Sequence, residues 1–83
     1  MLVPRFFFDI HDDNNGLQRD NEGTELEDIK MVHRHAQSIL PDIARDEIPG
    51  DGDRRMYTVL VTDQDGNPVY SATLAYTGMW LMR

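Results

Sequence analysis

Alternating apolar and polar residues near the start of the chain predict a β-hairpin. In the segment Arg5–His11, the side chains of Phe6, Phe8 and Ile10 fall on one side of an extended strand. A second, short strand over Leu17–Asp20 is placed to return along the first. The segment between them ends in Asn-Gly, which favours a tight hairpin turn because both residues tolerate positive φ.

A second hairpin is predicted in the last third of the chain. The segment Met56–Asp63 is rich in β-branched residues and alternates along its length, and Val69–Tyr76 alternates in the same way. Between them, Gln64–Asn67 has the composition of a turn. Pro68 then stands at a strand start, where its missing N–H does least harm.

A long amphipathic helix is predicted between the two hairpins. Thr24–Glu27 matches a capping box, in which the Thr hydroxyl and the Glu carboxylate satisfy exposed N–H groups. Pro41 interrupts the pattern, but Ile43 and later apolar residues keep the helical spacing, which favours a kinked continuation over an end near Ile39. A loop is expected over Pro49–Asp53. The apolar stripe recurs at spacings of three and four and comprises Leu26, Ile29, Val32, Ala36, Ile39, Leu40 and Ile43.

The order ββαββ predicts an α+β fold, with an antiparallel sheet of three to four strands and one helix packed on one face. Residues 1–83 are expected to form a single domain, because domains usually hold about 100–200 residues. The predicted helix-on-sheet core consists of Phe6, Phe8, Ile10, Leu26, Ile29, Ala36, Leu40, Ile43, Val59, Val61, Ala72 and Leu74.

Charge and composition exclude several classes of function. The net charge of −7 argues against direct nucleic-acid binding and against an anionic membrane surface, since both need clustered cations. No apolar run approaches the roughly 20 residues that span a bilayer. With no Cys there is neither a disulfide nor a thiol nucleophile. A cytoplasmic location is therefore expected.

Histidines and carboxylates suggest a metal site, but their spacing does not support one. On a helix, His33 and His35 point about 200° apart; His33 is expected at the edge of the buried stripe and His35 in water. His11, Asp12 and Asp13 lie beside the first turn and form the best candidate cluster. Both acidic turns depart from the EF-hand calcium loop, so turn chemistry is the favoured explanation. No metal and no cofactor are therefore predicted.

The parts of a catalytic site are also missing from the pattern. Ser38 and Ser71 are the two serines, and neither lies in a nucleophile elbow. No glycine-rich phosphate loop is present. The basic doublet Arg54-Arg55 can take a phosphate, but pairing with Asp51, Asp53 or the carbonyls at the helix end is favoured. We therefore predict that the protein is not an enzyme.

An interface is predicted on the sheet face that the helix does not cover. A single helix covers one face, and alternation places apolar residues on the other as well. Large exposed apolar patches usually mark an interface, which favours a homodimer formed face to face or through edge strands. The alternative is that the tail folds back over its own sheet. The predicted interface residues are Phe7, Leu60, Met79, Trp80, Leu81 and Met82, with Met56 and Val69 on the same face.

Three segments resemble a family of short proteobacterial proteins of unknown function. They are Pro4–Ile10, with the start P-R-F-F-F-D-I, the acidic helix entry within Asp20–Asp28, and Ala44–Pro49. The resemblance covers most of the chain and implies no catalytic residue. Pro41 departs from the Ala/Leu-rich helix that the resemblance leads us to expect.

The leading hypothesis is therefore a small acidic interaction or regulatory module that self-associates. A fold-level analogy with small antitoxin domains supplies an alternative, in which an acidic protein inhibits a basic partner. A second alternative is a small-ligand or metal-binding module at His11, Asp12 and Asp13.

Overall fold

In the computed structural model, one helix lies across one face of an antiparallel sheet. The structure describes residues 3–51 and 54–82. The elements in chain order are β1 (Arg5–Asp12), β2 (Gly16–Gln18), β3 (Thr24–Glu25), α1 (Ile29–Asp51), β4 (Arg54–Thr62) and β5 (Pro68–Thr77). The sheet order is β2-β1-β4-β5, and β3 also pairs with β1.

The α+β prediction is confirmed, with one more strand than the upper limit of the prediction. Among the described residues the sheet has five strands instead of three to four, because Thr24 and Glu25 pair with Phe6 and Arg5 of β1. An ion pair of 2.6 Å between Arg5 Nη2 and Glu25 Oε1 accompanies this pairing. The predicted capping box is therefore wrong, because its first two residues are extended and the helix begins only at Ile29.

The helix begins instead at Ile29, and Asp28 is its cap. Asp28 Oδ1 accepts a hydrogen bond of 3.0 Å from the backbone N–H of Met31. N–H groups in the first turn of a helix have no carbonyl partner within the helix, so a side chain that bonds one of them acts as a cap. The helix continues through Pro41, as predicted, and also through the expected loop as far as Asp51. Pro41 is exposed, and apolar residues on both sides of it pack on the core, which offsets a cost of about 3 kcal/mol.

The first turn differs in detail from the predicted Asn-Gly hairpin. Asp12 pairs with Gly16, so three residues form the loop instead of a two-residue turn. Gly16 has a φ of 78°, whereas Asn15 has a negative φ. The left-handed glycine therefore stands directly after the three loop residues, at the start of β2.

The core lies between α1 and the covered face of the sheet. Buried apolar side chains come from β1, β4, the segment before the helix and one helix stripe: Phe6, Phe8, Leu26, Val32, Ala36, Leu40, Ala44, Tyr57, Val59 and Val61. Four predicted core residues pack at its rim and are half-buried: Ile10, Ile43, Ala72 and Leu74.

Ile29 is the one predicted core residue that the structure leaves exposed. It is the first residue of the helix and lines an open groove beside Tyr70, so no side chain covers it. Conversely, the predicted core list left out Tyr57 and Val32, which are fully buried, although Val32 belonged to the predicted apolar stripe of the helix. Within the described residues, no helix combines the length and the apolar character that crossing a bilayer requires.

Candidate functional site

A buried ion pair joins the end of β1 to the start of β4. Arg55 Nη2 lies 2.6 Å from Asp12 Oδ2, and the two side chains are 1% and 6% exposed. Asp13 and Glu47 are more distant, at 3.6 Å and 3.8 Å from the guanidinium. The guanidinium also stacks over the ring of Tyr57, with Cζ 4.9 Å from the centroid. Arg55 is therefore held from several sides within the fold.

The prediction for the basic doublet did not include this ion pair. Arg54 is exposed, and Arg55 pairs with Asp12 on the neighbouring strand. Of the predicted partners, Asp53 and the side chain of Asp51 lie outside the described residues. Asp12 and Arg55 are 43 residues apart, so only the pairing of β1 with β4 brings them together.

Asp12 also organises the first turn. Its Oδ1 accepts the N–H of Asn14 at 2.8 Å, and its Oδ2 accepts the side-chain amide of Asn15 at 3.0 Å. Burial alone would raise the pKa of Asp12, but these donors and Arg55 outweigh it and lower the pKa from 3.8 to about 2. Asp12 is therefore ionised and fully engaged inside the fold.

The candidate metal cluster does not form among the described residues. Successive residues on a strand point to opposite faces, and His11 is exposed while Asp12 is buried against Arg55. Asp13 points its Oδ1 toward the N–H of Met56, at 3.3 Å. No group of three or more potential metal-ligating side chains occurs in the described parts of the chain.

The second acidic turn is likewise held by its own aspartate. Asp63 Oδ1 accepts the N–H groups of Asp65 and Asn67, each at 2.9 Å. These bonds, chiefly that from Asn67, lower the pKa of Asp63. The carboxylate thus bonds the N–H groups of its own turn, in agreement with the turn chemistry that the composition indicates.

Asp20 lies between the short strands β2 and β3, which both pair with the edge of β1 opposite β4. Its Oδ2 accepts the N–H of Phe8 at 3.0 Å, and its Oδ1 accepts the N–H groups of Glu22 and Gly23. Burial opposes ionisation, yet these N–H donors and the nearby His35 lower the pKa of Asp20. At this point of the sheet the carboxylate of Asp20, and not a neighbouring strand, accepts the backbone N–H of β1. The sequence offered no signal for it beyond an Asp before an Asn-Glu-Gly break.

The two helix histidines exchange their predicted environments. His35 is half-buried and packs edge-on against Phe8, with ring centroids 4.6 Å apart. His33 is exposed and meets the ring of Tyr70 at 5.2 Å. The contact with Phe8 places His35 on the side of the helix that faces β1. The Ser38 hydroxyl donates to the carbonyl of His35, an ordinary bond within a helix.

The uncovered face of the sheet presents apolar and small polar side chains. Met56 and Leu60 on β4 are exposed, and so is Val69 on β5. The Thr58 and Thr73 hydroxyls share a hydrogen bond of 2.9 Å between these strands. Phe7, predicted to belong to this surface, is only half-exposed, because the backbone of Gly23 packs against its ring.

The tail after β5 is exposed along its described length. Met79, Trp80, Leu81 and Met82 are between 75% and 88% exposed. The described chain measures 62 × 22 × 18 Å along its principal axes. The tail therefore does not fold back over its own sheet in the single chain.

These features define a small α+β protein in which a helix covers one face of an antiparallel sheet and the other face is uncovered. Residues 5–75 match a domain of unknown function, DUF6894. The chain belongs to this family. The match spans β1 to most of β5 and leaves the apolar tail outside it. No curated protein and no solved structure matches the chain.

Proposed function

We propose that this protein is a small, cytoplasmic, non-catalytic interaction module that associates with a second copy of itself. The observation that carries the proposal is the exposure of the apolar tail together with Met56, Leu60 and Val69. Monomeric proteins seldom expose contiguous apolar patches larger than a few hundred Å², and larger ones mark interaction sites. Trp and Met are moreover enriched in the cores of interfaces.

The distribution of charge supports self-association through the last part of the chain. With a net charge of −7, two copies repel one another over most of their surfaces. No residue between Asp65 and Arg83 carries a charge. Contact through this segment therefore avoids placing like charges opposite each other, which contact through the acidic first half does not.

The roles of the buried and half-buried acids support a structural module over a catalyst. Asp12 is paired with Arg55, and Asp20 bonds three backbone N–H groups. The pKa values of both are lowered, so both are ionised at neutral pH and neither is poised to exchange a proton there. Their contacts stabilise turns and strand pairing.

Light scattering over a range of protein concentrations tests the proposal. We expect a mass near twice 9.6 kDa at micromolar concentration. Trp80→Ser should weaken association, whereas Leu17→Ser should leave it unchanged. The control removes an exposed apolar side chain from β2, at the opposite edge of the sheet from β5 and the tail. A wild-type mass of 9.6 kDa at every concentration would contradict the proposal.

A further inference from the structure

The outer edge of β5 is not paired within the described chain. The sheet order ends at β5, a strand of ten residues. Unpaired edge strands present a row of N–H and C=O groups that can pair with another chain. Proteins usually protect such edges with charges, bulges or short strands. On β5 the protection is confined to Pro68 and to the irregularity beside it, at the start of the strand.

Hydrogen bonding elsewhere in the sheet identifies which backbone groups of β5 point outward. Phe8 donates its N–H to Asp20, away from β4. Its partner Val61 therefore directs its own backbone groups away from β1 and toward β5, where it pairs with Tyr70. Backbone groups alternate in direction along a strand. The residues whose N–H and C=O groups face outward are Ser71, Thr73, Ala75 and Thr77.

The side chains of β5 show that the core is incomplete at this edge. On the helix side, Tyr70, Ala72 and Leu74 pack against the core but are only half-buried. At the equivalent positions of β4, Val59 and Val61 are fully buried. The strand therefore has the side-chain pattern of an interior strand and the position of an edge strand.

The chemistry of this edge fits a second copy of the same strand. β5 carries no charge, and its outward-facing residues are small and uncharged. Two such strands can lie antiparallel without placing like charges opposite each other, in an acidic protein whose remaining surfaces repel. In an arrangement around a two-fold axis every contact occurs twice. Two-fold symmetry is also the commonest symmetry of homo-oligomers.

We propose that β5 pairs antiparallel with β5 of a second copy, around a two-fold axis at Thr73. This register sets Thr73 opposite itself and Ser71 opposite Ala75, and it uses nearly all of the strand. The result is one continuous sheet with both helices on the same face. The inference rests on the proposed self-association and specifies its geometry, against the alternative in which the two uncovered faces meet.

Single cysteines test the geometry, because the natural chain contains none. In the proposed register the two copies of Thr73 form a hydrogen-bonded pair with Cα atoms about 5.5 Å apart, within the range of a disulfide. Thr73→Cys should therefore become a disulfide-linked dimer on mild oxidation. Thr58→Cys is the matched control, since it removes the same hydroxyl hydrogen bond from the same face. Its two copies would lie about three strand spacings, or roughly 14 Å, apart.

The outcomes separate this inference from the proposed function. Efficient cross-linking of Thr73→Cys, with little for Thr58→Cys, supports pairing through β5. If the protein is a dimer but Thr58→Cys links as readily, or neither variant links, the edge pairing is wrong and self-association stands. If the wild-type protein stays monomeric, both proposals fail. Circular dichroism of each reduced variant confirms that it is folded.

Discussion

Replacing Asp12 by Asn tests whether the buried ion pair stabilises the fold. Arg55 is 1% exposed, and Asp12 lies nearer to its guanidinium than Asp13 and Glu47 do. Breaking a buried pair typically costs about 3–5 kcal/mol. The lowered pKa of Asp12, about 2 against 3.8, corresponds to about 2 kcal/mol in favour of its ionised form, to which the N–H of Asn14 contributes as well as Arg55. Because Asp13 and Glu47 remain near the guanidinium, we expect a loss of about 2–3 kcal/mol.

Urea unfolding followed by far-UV circular dichroism measures this loss. A domain of 83 residues has a stability of about 4–12 kcal/mol, so the expected change is a large part of the total. Protein concentration must be equal in all samples, because association also stabilises the folded state. Asp13→Asn is the matched control: its carboxylate is 47% exposed and lies 3.6 Å from Arg55 Nε, so the loss should stay below about 1 kcal/mol.

A double substitution distinguishes the ion pair from the turn that Asp12 also holds. Asp12→Asn combined with Arg55→Met should cost less than the sum of the single changes, since neither charge is then left buried alone. If Asp12→Asn unfolds within about 0.5 kcal/mol of the wild type, or if the two effects simply add, the pair does not stabilise the fold as argued.

Three further predictions concern pH, the helix cap and one turn. Because the pKa of Asp12 is lower in the folded than in the unfolded chain, stability should fall as pH drops from about 4 to about 2, and acid titration of Asp12→Asn should show a smaller fall. Asp28→Ala should lower thermal stability by about 1 kcal/mol, and Thr24→Ala by less, since Asp28 caps the helix; equal losses would contradict this. Gly23→Ala should destabilise more than Gly66→Ala in urea: both have positive φ, but a Cβ at Gly23 would lie 2.8 Å from a side-chain carbon, whereas Gly66 has open space. A smaller loss of stability for Gly23→Ala than for Gly66→Ala would show that the side chains around Gly23 move to make room for the methyl group.

The periodic parts of the fold could be predicted from the sequence. Period-two alternation identified the covered face of β1 and β4, where Phe8 and Val59 are buried. This signal is strong because a shift of one residue along the strand would move every side chain to the other face. Helical spacing likewise identified Ala36 and Leu40, and it predicted the continuation through Pro41. In each case the signal lies within one element and repeats several times.

Features that depend on distant pairing could not be predicted in the same way. Thr24-Glu25-Leu26-Glu27 is a valid capping box in isolation, but pairing with β1 makes its first residues extended. The Asp12–Arg55 pair joins residues 43 positions apart and has no local signature. His35 packs against Phe8 of β1, a contact between elements that helical spacing alone does not specify.

The Asp20 carboxylate has a consequence for how far assembly can proceed. Together with the short strands β2 and β3, it occupies the side of β1 opposite β4. A sheet with two open edges can add subunits at both ends and grow into a fibre. A sheet with one open edge has no edge left for a further subunit once it has paired with a second copy. Strand addition is thereby disfavoured at this end of the subunit, where β2 and β3 are only three and two residues long. An Asp20 variant with that end exposed is the form of this protein in which we would look for filaments.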